Sequence, residues 1–359
     1  PVATTASPLP LGVLPPKARP TAAPNRAAPI VLRVAAWPRY ADRLFTERFA
    51  ARYLAETGIA VVVTQVVTVS SNDEYLPLLL ASPPLVDLVA PSCDMAPGLI
   101  QAGLVQPLQV ANESELLPAF RRPPFLQARG QGYGVPYSSG PMWLLTVGRQ
   151  EPIRRWAELW SPALAGKVAI WDDAVWAVSL AALKLGKRRL FDLSDEDLRE
   201  AEHELVALLR NGCRLWTRPE QVQAWIAEGS LVACDDWGIL AWELARKGTP
   251  VHRVVPLEGT TQWIDSWMLA THVKGPARRA AQAWIEYAIS PENQRDLLRE
   301  AGYDPTNERT VELLDKASAS ARVRTIRQRR LATIERWRPV LRRPLYLETW
   351  RRAKQSARR

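Results

Sequence analysis

The sequence has little of what enzymes and metal sites are built from. Its 359 residues include three histidines and three cysteines, and these form no CxxC pair, metal-ligand cluster or nucleophile motif. We therefore expect no metal, no cofactor and no enzymatic activity. Three cysteines allow at most one intramolecular disulfide bridge, and the sequence leaves its partners open. No run of about 18 apolar residues occurs, so no membrane-spanning helix is predicted.

What the chain does have is tryptophan and clustered positive charge. It contains 15 Trp against 5 Phe, and its length is sufficient for two compact domains. The net charge of +10 comes from the C-terminus, because residues 322–359 carry +12 and the residues before them carry −2. Such an Arg-rich run is typical of a solvated helix face or tail. The alternative is a patch for phosphates or anionic membrane surfaces.

Residues 1–30 contain eight prolines and many alanines. This composition predicts a flexible, polyproline-like leader. Because the chain starts at Pro1 rather than Met, we expect that a segment such as a secretory signal stood upstream.

After the leader, strand and helix patterns alternate. Apolar alternation predicts strands at residues 30–37, 60–67 and 86–90, and an amphipathic helix at residues 41–57. A short helix with capping-box spacing follows the second strand. This β-α-β-α-β order predicts an α/β fold with a parallel sheet, whose ligands gather at the carboxyl ends of the strands.

Aromatic and acidic residues follow several of the predicted strands. Trp37 and Tyr40 follow the first strand, where they either contact a ligand or pack against the next helix. A later strand at residues 167–171 precedes a helix at residues 174–184, and Asp173 between them either caps that helix or binds a ligand. Further on, Ser194 is predicted to cap a helix at 195–210, and a strand at 231–234 leads into another acid- and Trp-containing turn.

Trp263 and Asp265 stand two residues apart in a segment that is predicted to be extended. Side chains at i and i+2 of a strand share a face, so this indole and this carboxylate can converge on one small object. A carboxylate beside an aromatic face is a receptor for an organic cation. The alternative is a core Trp beside a surface Asp.

Together these segments resemble the spermidine/putrescine-binding proteins of bacterial ABC importers. The resemblance runs from about residue 31 to about residue 355 and depends on the order and spacing of several motifs. The motifs are Ala36-Trp37-Pro38-Arg39-Tyr40, Glu56-Thr57-Gly58-Ile59, Asp87-Leu88-Val89-Ala90-Pro91-Ser92, Val135-Pro136-Tyr137, Trp156-Ala157-Glu158-Leu159-Trp160, Trp171-Asp172-Asp173-Ala174, Gly248-Thr249-Pro250, Trp263-Ile264-Asp265-Ser266 and Gly302-Tyr303.

The resemblance implies an α/β, two-lobed periplasmic binding protein fold with a ligand cleft between lobes that close by a hinge motion. Lobe 1 is predicted to comprise residues 31–137 and 264–307, and lobe 2 residues 138–263 and 308–359. In such proteins, aromatic side chains enclose the carbon chain of the ligand while carboxylates hold its amines. The corresponding residues in this chain are Trp37, Tyr40, Ser92, Asp173, Trp263, Asp265, Tyr303 and either Trp237 or Asp236.

The chain departs from the family pattern at three places. Trp176 stands where a second-lobe Glu is expected, Asp94 where a Tyr is expected, and Arg338 where a Gln is expected. We include Asp94 and Trp176 among the predicted ligand-binding residues. These changes could shorten the ligand, alter its charge spacing or abolish polyamine binding.

We expect an extracytoplasmic receptor that binds a cationic, polyamine-like amine through Asp265 and delivers it to an ABC permease. A quaternary ammonium ligand is the alternative within the same fold, because an aromatic cage that includes Trp176 suits it. We expect a periplasmic or extracellular monomer, anchored to the membrane through an upstream segment, and no binding to nucleic acid. The competing hypothesis is a module that binds an anionic polymer or a membrane surface through residues 322–359.

Overall fold

The computed structural model describes residues 28–314 and 334–358. Most of the predicted leader, residues 1–27, and residues 322–333 of the Arg-rich segment lie outside the described residues. Within the described ranges, no helix has both the length and the apolar character needed to cross a membrane.

The chain alternates between strands and helices. The strands are β1 (Ile30–Ala36), β2 (Val61–Thr68), β3 (Leu88–Val89), β4 (Gln127–Ala128), β5 (Gln131–Gly132), β6 (Gly134–Pro141), β7 (Trp143–Val147), β8 (Val168–Trp171), β9 (Arg214–Trp216), β10 (Ala233–Asp236), β11 (Val251–Val254), β12 (Thr260–Leu269), β13 (Asp304–Pro305) and β14 (Ile334–Arg336). The α-helices are α1 (Arg43–Thr57), α2 (Tyr75–Leu80), α3 (Ala96–Gln101), α4 (Ala174–Lys184), α5 (Asp195–Arg210), α6 (Pro219–Ala227), α7 (Ile239–Arg246), α8 (Gly275–Ala288), α9 (Pro291–Ala301) and α10 (Arg343–Ala357).

Two sheets form the centres of two lobes. The first sheet has the order β13-β6-β12-β3-β1-β2, with β14 also paired to β12. Its β1, β2 and β3 are parallel, as the β-α-β-α-β pattern predicted, whereas β12 runs antiparallel to β3 and β6. The second sheet has the order β11-β7-β10-β8-β9, with β8 parallel to both β9 and β10. The α/β, two-lobed prediction is therefore confirmed.

The chain passes between the sheets close to the predicted lobe boundaries. It leaves the first sheet at the end of β6 and enters the second with β7, and it returns between β11 and β12. The strand β14 pairs with the first sheet, while α10 packs against α4 and α5 beside the second. The division into lobes by residue number stays a prediction.

Local sequence signals explain why the helices begin and end where they do. Ser71 forms the predicted capping box with Glu74, and Ser194 forms one with Asp197 at the start of α5. Helix α1 ends at Gly58, whose φ of 72° lies in the left-handed region that glycine adopts without strain. Helix α4 begins after Asp173, whose side chain accepts a hydrogen bond from the backbone N–H of Trp176 at 3.0 Å.

The C-terminal helix of the Arg-rich segment, α10, folds onto the second lobe. Its helix α10 buries Tyr346, Trp350 and two smaller side chains against the lobe. Several of its basic residues pair with acids of the chain, including Arg352 with Glu202 and Lys354 with Asp172, each at 2.8 Å. The helix therefore belongs to the core of the lobe, with its basic side chains on the surface.

Candidate functional site

A small cavity lies where the two sheets face each other. Its volume is about 20 Å³, which is room for about one water molecule, so the lobes are closed on each other. The residues that line it are Trp37, Ser92, Met142, Trp171, Trp237, Trp263, Asp265, Tyr303 and Trp337.

The carboxyl ends of parallel strands supply the cavity from both lobes. Trp37 follows β1 and Ser92 follows the neighbouring β3 in the first sheet. Trp171 ends β8 and Trp237 follows the neighbouring β10 in the second sheet. This is the edge at which open α/β sheets collect ligands.

The strand β12 presents its indole and its carboxylate on one face, as their spacing predicted. Trp263 lies opposite Gly140 of β6, and a Cβ at Gly140 would stand 2.6 Å from the Trp263 ring. Gly140 is therefore needed for the indole to lie across the strand. The ladder between β12 and β6 shifts register after Asp265, and Asp265 forms an isolated bridge with Ser92.

Asp265 is a buried carboxylate held by two hydroxyl groups. The hydroxyls of Tyr40 and Ser92 each donate a hydrogen bond to it, at 2.5 Å. Burial raises the pKa of Asp265 to about 7, although these two bonds act to lower it, and the charge of Asp94 raises it further. Asp265 has no ion pair with Lys, Arg or His in the described part of the chain. It is thus a desolvated acid without a counter-ion.

Aromatic rings enclose this carboxylate and join the lobes. Trp37 from the first lobe meets Trp237 and Trp171 of the second edge to face, with ring centroids 5.6 and 6.1 Å apart. Trp337 stacks on Trp171 at 6.2 Å with an interplanar angle of 20°. Several ring faces and edges therefore converge on a volume that contains one carboxylate, which is the chemistry of a cation-binding cage.

The closed cavity leaves several hydrogen-bond donors without partners. Four of the lining indoles have a buried N–H with no acceptor among the described residues; they are Trp37, Trp237, Trp263 and Trp337. An unsatisfied buried donor costs about 1–3 kcal/mol. Acceptors on a ligand or water molecules in the cavity would satisfy these donors.

Polar contacts between the lobes flank the cavity. The indole N–H of Trp171 donates to the backbone carbonyl of Ser70 at 3.0 Å. On another side, Arg39 of the first lobe pairs with Glu243 of the second at 2.9 Å. These contacts hold the closed arrangement at points outside the cavity.

The structure brings most of the predicted ligand-binding residues together. The predicted residues that line the cavity are Trp37, Ser92, Trp237, Trp263, Asp265 and Tyr303. Tyr40 lies directly behind the cavity and contacts it through its hydrogen bond to Asp265. Of the two alternatives at the end of β10, Trp237 lines the cavity, whereas Asp236 accepts hydrogen bonds from three backbone N–H groups at the start of α7.

Three predicted residues lie outside the cavity. Asp94 is fully buried and paired with Arg343 and Asn72, and Asp173 caps α4. Trp176 lies in the core of the second lobe, where its indole N–H donates to Asp235. The expectation of a cage that includes Trp176 is therefore corrected.

The cage residues that the sequence did not single out are Trp171, Trp337 and Met142. Trp337 immediately precedes Arg338, the position where the family pattern has a Gln. The Arg338 side chain is largely exposed and pairs with Glu335. Trp171 is the first residue of the motif Trp171-Asp172-Asp173-Ala174, which carried the resemblance.

The described residues give little support to a metal site or to a reactive cysteine. No group of His, Cys, Asp and Glu there could hold a metal ion. All three cysteines are buried and free, and burial raises the pKa of each thiol. Asp235 is buried in the second lobe, where burial raises its pKa to about 7 and Trp171 and Trp216 donate hydrogen bonds to it.

Comparisons with known proteins agree with this architecture. A family profile described as bacterial extracellular solute-binding protein matches residues 48–323. The spermidine/putrescine-binding periplasmic protein of Escherichia coli is 26% identical over 294 residues, which cover 79% of this chain and 80% of that protein. These similar proteins are solute-binding transport proteins and not enzymes.

Solved structures share the fold at lower identity. A spermidine/putrescine ABC transporter substrate-binding protein from Streptococcus pneumoniae superposes with a TM-score of 0.71 at 20% identity, over 91% of this chain and 99% of that one. The binding protein MotA from A. tumefaciens B6, in complex with glucopine, superposes with a TM-score of 0.67 at 16% identity, over 92% and 98%. At such identities the likeness concerns the fold alone, and the ligand must be argued from the cavity.

Proposed function

The chain belongs to the bacterial extracellular solute-binding proteins of the ABC transporter type, and from that membership we propose that it is the receptor for a small cationic amine. It binds this ligand between its lobes and delivers it to a membrane permease. The observation that carries the proposal is Asp265, a buried carboxylate enclosed by aromatic rings and without a basic partner among the described residues.

The chemistry of the cavity matches an organic cation in two respects. An ammonium group beside Asp265 supplies the charge partner that the buried carboxylate lacks. The indole and phenol rings, including Trp263 and Tyr303, attract the remaining positive charge through their faces and cover the carbon skeleton. The cavity is too small for such a ligand while the lobes are closed, so entry requires the lobes to open.

Calorimetric titration tests the proposal. The protein is freed of copurified ligand by unfolding and refolding, and is then titrated with putrescine, spermidine, agmatine and a betaine. Asp265→Asn should weaken binding of the amine that binds best by at least about thirtyfold, because a charge-assisted contact is lost. Asp172→Asn, which changes an acid outside the cavity, serves as the matched control. The absence of heat with every cation would refute the proposal.

A quaternary ammonium is the second candidate, and the number of indoles around the cavity favours it. Such a cation donates no N–H hydrogen bond and depends on ring faces. A preference for the betaine in the same titration series would select this candidate.

The hypothesis of an anionic-polymer module gains little from the fold. The described basic helix α10 packs into the second lobe, and residues such as Arg352 and Lys354 are paired with acids of the chain. This hypothesis predicts binding that falls steeply with added salt and disappears when residues 322–359 are deleted.

The remaining parts of the proposal concern location and assembly. The similar protein of E. coli is periplasmic by name. We propose the same compartment for this chain, with anchoring through an upstream segment and function as a monomer. The predicted lobes, residues 31–137 with 264–307 and residues 138–263 with 308–359, move about the strands that cross between them.

A further inference from the structure

Two acids of the first lobe, Asp73 and Asp94, are already paired with an arginine. Asp94 accepts a hydrogen bond from Arg343 Nη1 at 3.2 Å, and Arg343 Nη2 lies 2.9 Å from Asp73 Oδ1. The Asp94 side chain is fully buried and that of Arg343 is 19% exposed. Asp173 lies near enough for its charge to act on Arg343.

This ion cluster joins the two lobes through the C-terminal helix. Asp73 and Asp94 belong to the first lobe, whereas Asp173 caps α4 of the second lobe. Arg343 is the first residue of α10, which packs against α4 and α5. The hydroxyl of Ser71 also crosses the boundary and donates to Asp173 at 3.0 Å. A residue of the second lobe thus supplies the counter-ion for acids on both sides.

The ion cluster is connected to the ligand cavity by hydrogen bonds through Asn72 and Ser92. Asn72 donates to Asp94 at 3.0 Å and accepts from the backbone N–H of Ser92 at 3.0 Å. Ser92 in turn lines the cavity and donates to Asp265. The charge of Asp94 reaches Asp265 across this short connection.

The cavity itself has a single acid. Among its lining residues in the described chain, Asp265 is the one with a charged side chain. A second ammonium on the ligand would therefore either lie among indoles without a counter-ion or approach acids that Arg343 already neutralises. Both positions are costly for a buried charge.

We propose that Arg343 takes the place of a second ligand charge, so that the receptor selects an organic cation with one positive charge and discriminates against diamines. This inference rests on the proposed function and narrows its ligand class. Arg343 acts as a specificity-determining residue: it does not touch the ligand, but it fills the position that a second ammonium would need.

Butylamine and putrescine test the inference, because they share a carbon chain and differ by one ammonium. Wild-type protein should bind butylamine at least about tenfold more tightly than putrescine. Arg343→Met removes the positive charge that neutralises Asp73 and Asp94 and should tighten putrescine binding by at least about tenfold, with little change for butylamine. Arg343→Lys keeps the positive charge and should keep the wild-type preference.

The outcomes separate the inference from the proposed function. Putrescine binding as tightly as butylamine to the wild type would overturn the inference and leave the amine receptor intact. Heat from neither compound, nor from the wider panel of cations, would overturn both. Thermal unfolding shows whether Arg343→Met is folded, and if it is not, the wild-type comparison still decides.

Discussion

Replacing Asp265 by Asn should make the ligand-free protein more stable at alkaline pH, even though it removes the main ligand contact. The pKa of Asp265 is raised from an ordinary 3.8 to about 7, chiefly by burial. Between these two pH values the folded state therefore binds more protons at this site than the unfolded chain does. The stability contributed by the protonated acid is fully present below pH 3.8 and is lost as the pH rises through about 7.

The magnitude follows from the same pKa difference. Keeping Asp265 ionised in the fold above pH 7 costs about 4 kcal/mol, since each pH unit corresponds to about 1.4 kcal/mol. Asn does not carry this cost, but it replaces one accepting oxygen with an NH2 donor, so the hydroxyl of Tyr40 or of Ser92 loses its acceptor at a cost of about 2 kcal/mol. The net stabilisation is about 2 kcal/mol at pH 8.5. It should vanish or reverse at pH 5, where Asp265 is protonated in the folded protein.

Thermal unfolding by calorimetry at pH 5 and pH 8.5 measures the effect on protein that has been freed of ligand. A gain of about 2 kcal/mol corresponds to a rise in Tm of about 3 °C for a chain of this length. Asp87→Asn is the matched control, because it should lower the stability at alkaline pH where Asp265→Asn raises it. Burial raises the pKa of Asp87, but the hydrogen bonds and charge of Arg33 lower this pKa by a larger amount. The ionised form of Asp87 therefore stabilises the fold.

The reasoning fails if Asp265→Asn is less stable than wild type at both pH values. Asp265 would then be a structural acid whose hydrogen bonds outweigh its desolvation. A stabilised variant that still binds cationic amines with wild-type affinity would contradict the role of Asp265 as the ammonium anchor.

Three further predictions concern the cavity. Affinity for an ammonium ligand should fall by up to about tenfold per pH unit below 7, because protonated Asp265 must ionise on binding. Titration at several pH values measures this fall, and an affinity that does not change with pH contradicts the prediction. Gly140→Ala should displace the Trp263 ring, destabilise the protein by about 1–3 kcal/mol and weaken ligand binding. Thermal unfolding measures the change in stability and titration the change in affinity, and an unchanged affinity contradicts the prediction. Trp337→Ala should weaken ligand binding by at least about tenfold. Trp350 is a buried indole outside the cavity, so Trp350→Ala should alter stability alone. Equal effects of the two substitutions on affinity contradict the prediction.

The sequence predicts well where a local signal decides the structure. The bounds of α4 and α5 follow from their caps, Asp173 and Ser194, and each cap satisfies backbone groups within one turn. The pairing of Trp263 with Asp265 on one face follows from the period of a strand. These features need no knowledge of residues far along the chain.

Long-range partners are where sequence reasoning falls short. Whether Asp94 is free to bind a ligand depends on Arg343, which lies 249 residues away in the chain. Arg343 reaches Asp94 because α10 packs against the second lobe. The acid's own neighbourhood gives no indication of that partner. Trp176 likewise stands where the family pattern has a second-lobe Glu, but α4 is buried on nearly all sides, so this indole packs in the core of the lobe. Both outcomes depend on how helices pack and not on local pattern.

Closure of the cleft is balanced between groups that favour it and groups that it leaves unsatisfied. Trp37 against Trp237 and the ion cluster of Arg343 draw the lobes together without a ligand. Against them stand the desolvated Asp265 and the four indole N–H groups that find no acceptor in the described part of the chain. Because a cation offsets the cost of Asp265 and is contacted by rings of both lobes, its binding shifts the equilibrium towards closure. The same acid that makes the empty protein less stable thus couples ligand binding to closure.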